Sequence, residues 1–137
     1  MEDRLLVIRE YHGEGYQPLI DFGSWRVAIL RWGPGSRAEE IKFMERHTQT
    51  DEVFVLLGGW ATLLIGGNQG KVDDIQAVGL ASGKLYNVKQ NTWHSALLSR
   101  DALILIVENR DTGEGNSEFF QLTAEQRQVI LGLEYHQ

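Results

Sequence analysis

The sequence predicts an all-β domain, an antiparallel sandwich or barrel finished by one short carboxy-terminal helix. Three observations predict it. Short runs rich in Val, Ile, Leu and aromatic residues recur along the chain, and turn residues separate them, with fifteen glycines against only two prolines. Counting the runs gives about nine or ten strands, the pattern of a sandwich or barrel. No helical periodicity is visible before about residue 122, so a doubly wound α/β fold, which needs helices between its strands, is excluded.

Size and composition bound the rest. A chain of 137 residues is one ordinary domain, taken here as residues 1–137, and is large enough to bury its own core. Hydrophobic residues at 42% against charged residues at 23% describe a globular rather than a disordered chain. Cysteine is absent, which removes both a disulfide framework and thiolate ligation and agrees with a cytoplasmic location. The stretch Met1-Glu2-Asp3-Arg4-Leu5-Leu6-Val7-Ile8 lacks the basic start and long apolar run of a signal peptide, and no segment reaches membrane-spanning length. A formal charge of -6 without a Lys/Arg cluster argues against a nucleic-acid partner, because phosphate contacts need concentrated positive charge.

In chain order, residues 5–11 read as a first strand, broken by His12-Gly13-Glu14-Gly15. His12 among these turn residues is an exposed bystander. Residues 16–22 form a short strand or an irregular arm. Residues 24–32 are a clearer strand, with Trp25, Val27, Ile29 and Arg31 on one face and Arg26, Ala28, Leu30 and Trp32 on the other, and Gly33-Pro34-Gly35 turns the chain. Its tryptophans are expected to pack on a sheet face or in the core, with substrate stacking the alternative. Residues 51–57 and 60–65, separated by Gly58-Gly59, form the best-defined hairpin. The loop Gly66-Gly67-Asn68-Gln69-Gly70 lacks the Lys-Ser/Thr ending and following helix of a phosphate site. Residues 72–78 suit an edge strand, residues 84–88 and 93–98 two further strands, and residues 102–107 the most apolar strand of all. A polar loop, residues 111–117, precedes the helix at about residues 122–133, where Thr123 caps the start and Gln126 takes the capping-box place. The helix should cover an open edge or a sheet face, or serve a dimer interface.

The chemistry concentrates around His47. In an extended segment the period of two puts Glu45, His47 and Gln49 on one face, and a turn through Thr50 and Asp51 lets Glu52 re-enter from the next strand. The segment that follows is rich in Val, Leu and Phe, so these groups point into a β interior. A carboxylate and an imidazole there are costly unless paired, and a divalent metal satisfies both. His94 is the second histidine candidate, whereas His136, near a terminus that should fray, is a weak one.

These residues carry a resemblance. The chain is similar to a small single-domain cupin of the conserved-barrel type, whose first motif runs Gly, five residues, His-x-His, three or four residues, Glu, six residues, Gly. His47 falls on its second histidine, Glu52 on its glutamate and Gly59 on its closing glycine, while Glu45 takes the place of the first histidine. His94 falls on the histidine of the second motif, in which Lys89 stands for the usual proline, Asn91 for the usual glycine and Leu98 for the usual asparagine. The match spans about residues 25 to 110.

The resemblance implies a double-stranded β-helix, that is, a jelly-roll barrel. It also implies a homodimer in which the amino-terminal strand and the arm of residues 16–22 pair across the two-fold axis. The expected site is one divalent ion, Mn, Fe, Zn or Ni, held by His47, Glu52 and His94. Glu45 is either the fourth ligand or an acid/base that leaves that place to Gln49 or water. The function expected is a metal-dependent enzyme acting on a small polar metabolite, an oxygenase or an isomerase/epimerase; the alternative is a non-enzymatic small-molecule or sugar-binding domain, or a barrel plugged by its own side chains.

Overall fold

The computed structural model describes residues 4–134. Within them lie the ten strands β1 (Gly15–Phe22), β2 (Trp25–Arg31), β3 (Phe43–His47), β4 (Glu52–Gly58), β5 (Ala61–Ile65), β6 (Gln76–Gly79), β7 (Leu85–Val88), β8 (His94–Leu98), β9 (Leu103–Asn109) and β10 (Ser117–Gln121), followed by one α-helix, α1 (Ala124–Glu134). They make two five-stranded antiparallel sheets, ordered β1-β2-β9-β4-β7 and β10-β3-β8-β5-β6. Neither sheet closes on itself, so the expected barrel is a double-sheet sandwich with edges at β1, β7, β10 and β6. Among the described residues, no helix is long and apolar enough to cross a membrane.

The period of two decides what faces inward. In β9 the alternation buries Ile104, Ile106 and Glu108 and leaves Leu103, Leu105 and Val107 half-buried. The inner faces of both sheets meet in one core, where Ala28, Phe54, Ile104 and Ile106 from the first sheet pack with Leu63 and Leu98 from the second. The second sheet buries its outer face as well. Met44, Leu64 and Leu97 point that way and pack with Trp93, Leu122 and Ile130, so α1 covers a sheet face rather than an edge. The helix starts as its sequence predicts: Gln126 N donates to Thr123 Oγ1 at 3.1 Å, and Thr123 N donates to Gln126 Oε1 at 2.9 Å.

Several expectations need correction. Residues 5–11 form no strand and are mostly exposed, because a run with strand propensity needs a neighbour to pair with and none is present among the described residues. The arm of residues 16–22 is β1, paired with β2 of its own chain. The expected hairpin at Gly58-Gly59 does not exist: β4 pairs with β7 and β9, whereas β5 pairs with β6 and β8 in the other sheet. Gly59, at φ 68, is the corner where the chain changes layer, and an added Cβ would lie 2.8 Å from Ala102 Cα. The hairpin partner of β5 is β6, reached through the loop of residues 66–75. Strand β10 lies where the sequence predicts only the end of a polar loop at Ser117 and a helix from about residue 122.

Candidate metal centre

The inner faces of the two sheets deliver polar groups to the same point. From the second sheet come Glu45 and His47 on β3 and His94 on β8, with Glu45 directly opposite His94 in the ladder. From the first sheet comes Glu52 at the start of β4, on the face that Phe54 and Leu56 continue into the core. Gln49, by contrast, lies beyond the end of β3 and is exposed, so it does not join the others. His12 is exposed and lies 3.3 Å from Glu10, as a bystander should, and His136 is outside the described residues.

Each imidazole is oriented by its far nitrogen. His94 Nδ1 lies 2.9 Å from the carbonyl oxygen of Thr92, which can only accept, so Nδ1 carries the proton. In neutral His94 the other nitrogen, Nε2, is therefore a bare lone pair. That atom is buried, has no hydrogen-bond partner, and lies 3.0 Å from Glu52 Oε1. Two lone pairs at this distance repel, and either a proton on Nε2 or a bound metal ion relieves the contact. His47 makes the matching arrangement: Nδ1 is 2.8 Å from Ser117 Oγ and Nε2 is 3.1 Å from the same Glu52 Oε1. The two rings meet edge to face at 5.3 Å between centroids.

The electrostatics follow from this packing. Burial alone would raise the Glu52 carboxyl, but its contacts with His47 and His94 and their charge outweigh burial and hold it at about 2. Burial likewise disfavours the charged forms of His47 and His94, and the Glu52 carboxylate beside them wins, raising both above the usual histidine value.

A second polar group, missed in the sequence, adjoins the first. Glu108 on β9 is buried, and its Oε2 accepts from Arg26 Nη2 at 2.7 Å and Nε at 3.0 Å and from the Tyr16 hydroxyl. Burial and the neighbouring Glu52 raise its carboxyl despite the Arg26 and Tyr16 hydrogen bonds that lower it. The signal was in the pattern: Glu108 continues the Ile104 and Ile106 face, and Arg26 the Ala28 and Leu30 face, so two opposite charges interrupt inward faces that register side by side.

Buried His and Glu residues thus form two clusters able to coordinate a metal ion. In Glu45, His47 and His94, and again in His47, Glu52 and Glu108, one potential ligand atom per residue lies within 4.8 Å of the others. The donors, imidazole nitrogen and carboxylate oxygen, suit a borderline divalent ion, and the unpartnered His94 Nε2 is an atom that such an ion would satisfy. Around the clusters is a cavity of about 500 Å³. Neither Trp25 nor Trp32 lines it: Trp25 is exposed on the opposite face, and Trp32 packs against the core under Arg100, 4.3 Å above its ring. Neither is placed to stack on a molecule in the cavity.

At two positions where the chain departs from the motif it resembles, the backbone before His94 keeps its shape. Asn91, where glycine is usual, has φ 66, a left-handed conformation that Asn tolerates better than most residues. Lys89, where proline is usual, donates to Asp51 Oδ2 at 2.7 Å, and Gln90 N donates to Asp51 Oδ1 at 2.8 Å. These bonds tie the loop before His94 to the residue before Glu52.

No protein-family profile matches the sequence, and no curated protein sequence matches it. Solved structures do match. A cupin-2 domain protein from Rhodospirillum rubrum is 16% identical at a TM-score of 0.52, over 83% of this chain and 68% of that one. The Streptomyces nucleoside dehydratase Pac13 is 12% identical at a TM-score of 0.55, over 84% and 86%. KdgF from Halomonas is 12% identical at a TM-score of 0.51, over 73% and 81%. Likeness at these identities speaks to architecture alone: the chain shares the double-sheet fold of these structures.

Proposed function

We propose that this protein is a metal-dependent enzyme of cupin type acting on a small polar metabolite, with one divalent ion, Mn, Fe, Zn or Ni, held by His47, Glu52 and His94 and with Glu45 as fourth ligand. The observation that carries the reading is the His94 ring, whose Nδ1 is committed to Thr92 and whose lone-pair nitrogen is buried against a carboxylate without a hydrogen bond. A bound ion supplies Lewis-acid polarisation of a carbonyl or hydroxyl oxygen. The chain's own residues do the rest. Ser117 and Thr92 fix the two rings, which keeps both Nε2 atoms aimed at one point without reorganisation. Glu45, half-buried at the cavity wall, is placed either to coordinate or to take a proton from a ligand.

Metal analysis of protein purified without added metal tests this. Replacing His47 or His94 by alanine should remove most of the bound ion, and replacing His12 should not. Glu45→Gln separates its two roles, since a large loss of metal makes it a ligand and retained metal with lost turnover makes it an acid/base. A wild-type protein that binds none of the four metals at micromolar concentration near neutral pH would refute the reading. The second reading, a non-enzymatic small-molecule or sugar-binding domain, would then stand, supported by a cavity of ligand size that the side chains do not plug.

A further inference from the structure

The cavity changes character with distance from the histidines. Phe43 on β3 and Phe119 on β10 share the inward face of their strands with Glu45, His47 and Ser117. Both line the cavity, yet they are 50% and 56% exposed. Inward-facing rings stay this wet only where the opposite layer fails to reach them. Strand β10 is the last of its sheet and β1 the last of the other, and no ladder joins the two, so the two phenylalanines stand at an open mouth.

Charge narrows what can enter. Glu45, Glu52, Glu108 and Glu114 line the cavity, against two cations, Arg26 and Arg31. Both guanidinium groups are engaged: Arg26 holds Glu108 and the Arg110 carbonyl, and Arg31 Nε donates to the Tyr11 carbonyl at 2.6 Å. A divalent ion would offset two of the carboxylates and leave no surplus of positive charge for a phosphate or a polycarboxylate.

We infer that the cavity takes an uncharged molecule with a flat ring, seated with the ring against Phe43 and Phe119 and an oxygen-bearing group at the His47, Glu52 and His94 end. The oxygen end rests on the metal reading above, whereas the ring end rests on the aromatic mouth alone. Covering two wet rings with a third removes apolar surface from water on both sides, which is the main source of affinity available there. The volume of about 500 Å³ accommodates a molecule of this kind.

Matched probes with one metal-binding head test it. Benzohydroxamic acid, acetohydroxamic acid and 4-carboxybenzohydroxamic acid are titrated calorimetrically into metal-loaded protein, with the metal content of every sample measured separately. Benzohydroxamic acid should bind roughly tenfold tighter than acetohydroxamic acid. The added carboxylate should weaken binding, and Phe43→Ala and Phe119→Ala should each shrink the preference for the ring severalfold while the metal content is read alongside. Equal affinities for the first two probes, an unchanged preference in both variants, or tighter binding of the carboxylated probe would overturn the inference and leave the metal reading standing. Protein that takes up no metal would instead overturn the metal reading, and the comparison of phenol with cyclohexanol on that metal-free protein then decides the ring: a preference for phenol that Phe119→Ala abolishes upholds it, and no preference rejects it.

Discussion

At the scale of single residues, the two histidines set how the site answers to pH. Metal binding needs both Nε2 atoms unprotonated, and Glu52 holds the two rings above the usual histidine value in the metal-free protein. Protons should therefore begin to compete above about pH 6.5, the reference value, and affinity should fall steadily as the pH is lowered. Titrations of metal affinity at a series of pH values check this, and an onset well below 6.5 would contradict it. The stability of the metal-free form has the opposite dependence. Groups whose folded values are raised stabilise the fold below the unfolded value and lose that contribution as pH rises through the folded one, while the contribution of Glu52 is lost only as pH falls from the ordinary carboxylate range toward about 2. Metal-free protein should thus melt highest in mildly acidic buffer. His47, Glu52 and His94 were legible because residue type and spacing announce them. Glu108 was not, because a glutamate closing an apolar strand looks like an exposed end until the register shows Arg26 beside it. Asn91 was legible only as a departure, and its φ of 66 explains it; Asn91→Gly should leave metal binding intact, whereas a β-branched residue there should destabilise the loop before His94.

At the scale of elements, the strands themselves were readable from apolar runs and turns, but their partners were not. Gly58 and Gly59 look like a two-residue hairpin, and propensity holds no information on whether the chain folds back beside β4 or crosses to the facing layer. The deciding contact is distant in sequence: Gly59 lies against Ser99 and Ala102, with its missing Cβ only 2.6 Å from Ser99 Oγ. Gly59→Ala adds a clash to a left-handed strain and should cost about 2 to 4 kcal/mol. Gly79→Ala, where nothing lies within 4 Å and φ is not positive, is the control and should stay within about 1 kcal/mol. Chemical denaturation of both variants measures the difference. β10 escaped notice for a related reason. Ser117, Glu118, Phe119, Phe120 and Gln121 alternate poorly in polarity because Phe119 faces the cavity mouth and Phe120 packs on Trp93 behind the sheet.

At the scale of the whole molecule, two stretches near the amino terminus in sequence, residues 5–8 and strand β1, leave large apolar side chains exposed. Leu5, Leu6, Val7 and Ile8 are exposed and belong to no strand, and the edge strand β1 exposes Ile20 and Phe22. A homodimer that covers these residues is the expected assembly, and sedimentation should show it at micromolar concentration, with a monomer there counting against it. The two-layer origin of the histidine and carboxylate groups has a further consequence. Glu52 belongs to one sheet and His47 and His94 to the other, so an ion gripped by all three acts as a rivet through the sandwich. Prying the layers apart then means expelling the ion, and its supply becomes a thermodynamic variable of folding, worth about 2.7 kcal/mol at a free concentration one hundred times the dissociation constant. A melting temperature that climbs with each added increment of metal, and stops climbing in Glu52→Gln, would make the protein's own heat resistance a gauge of the metal in its surroundings.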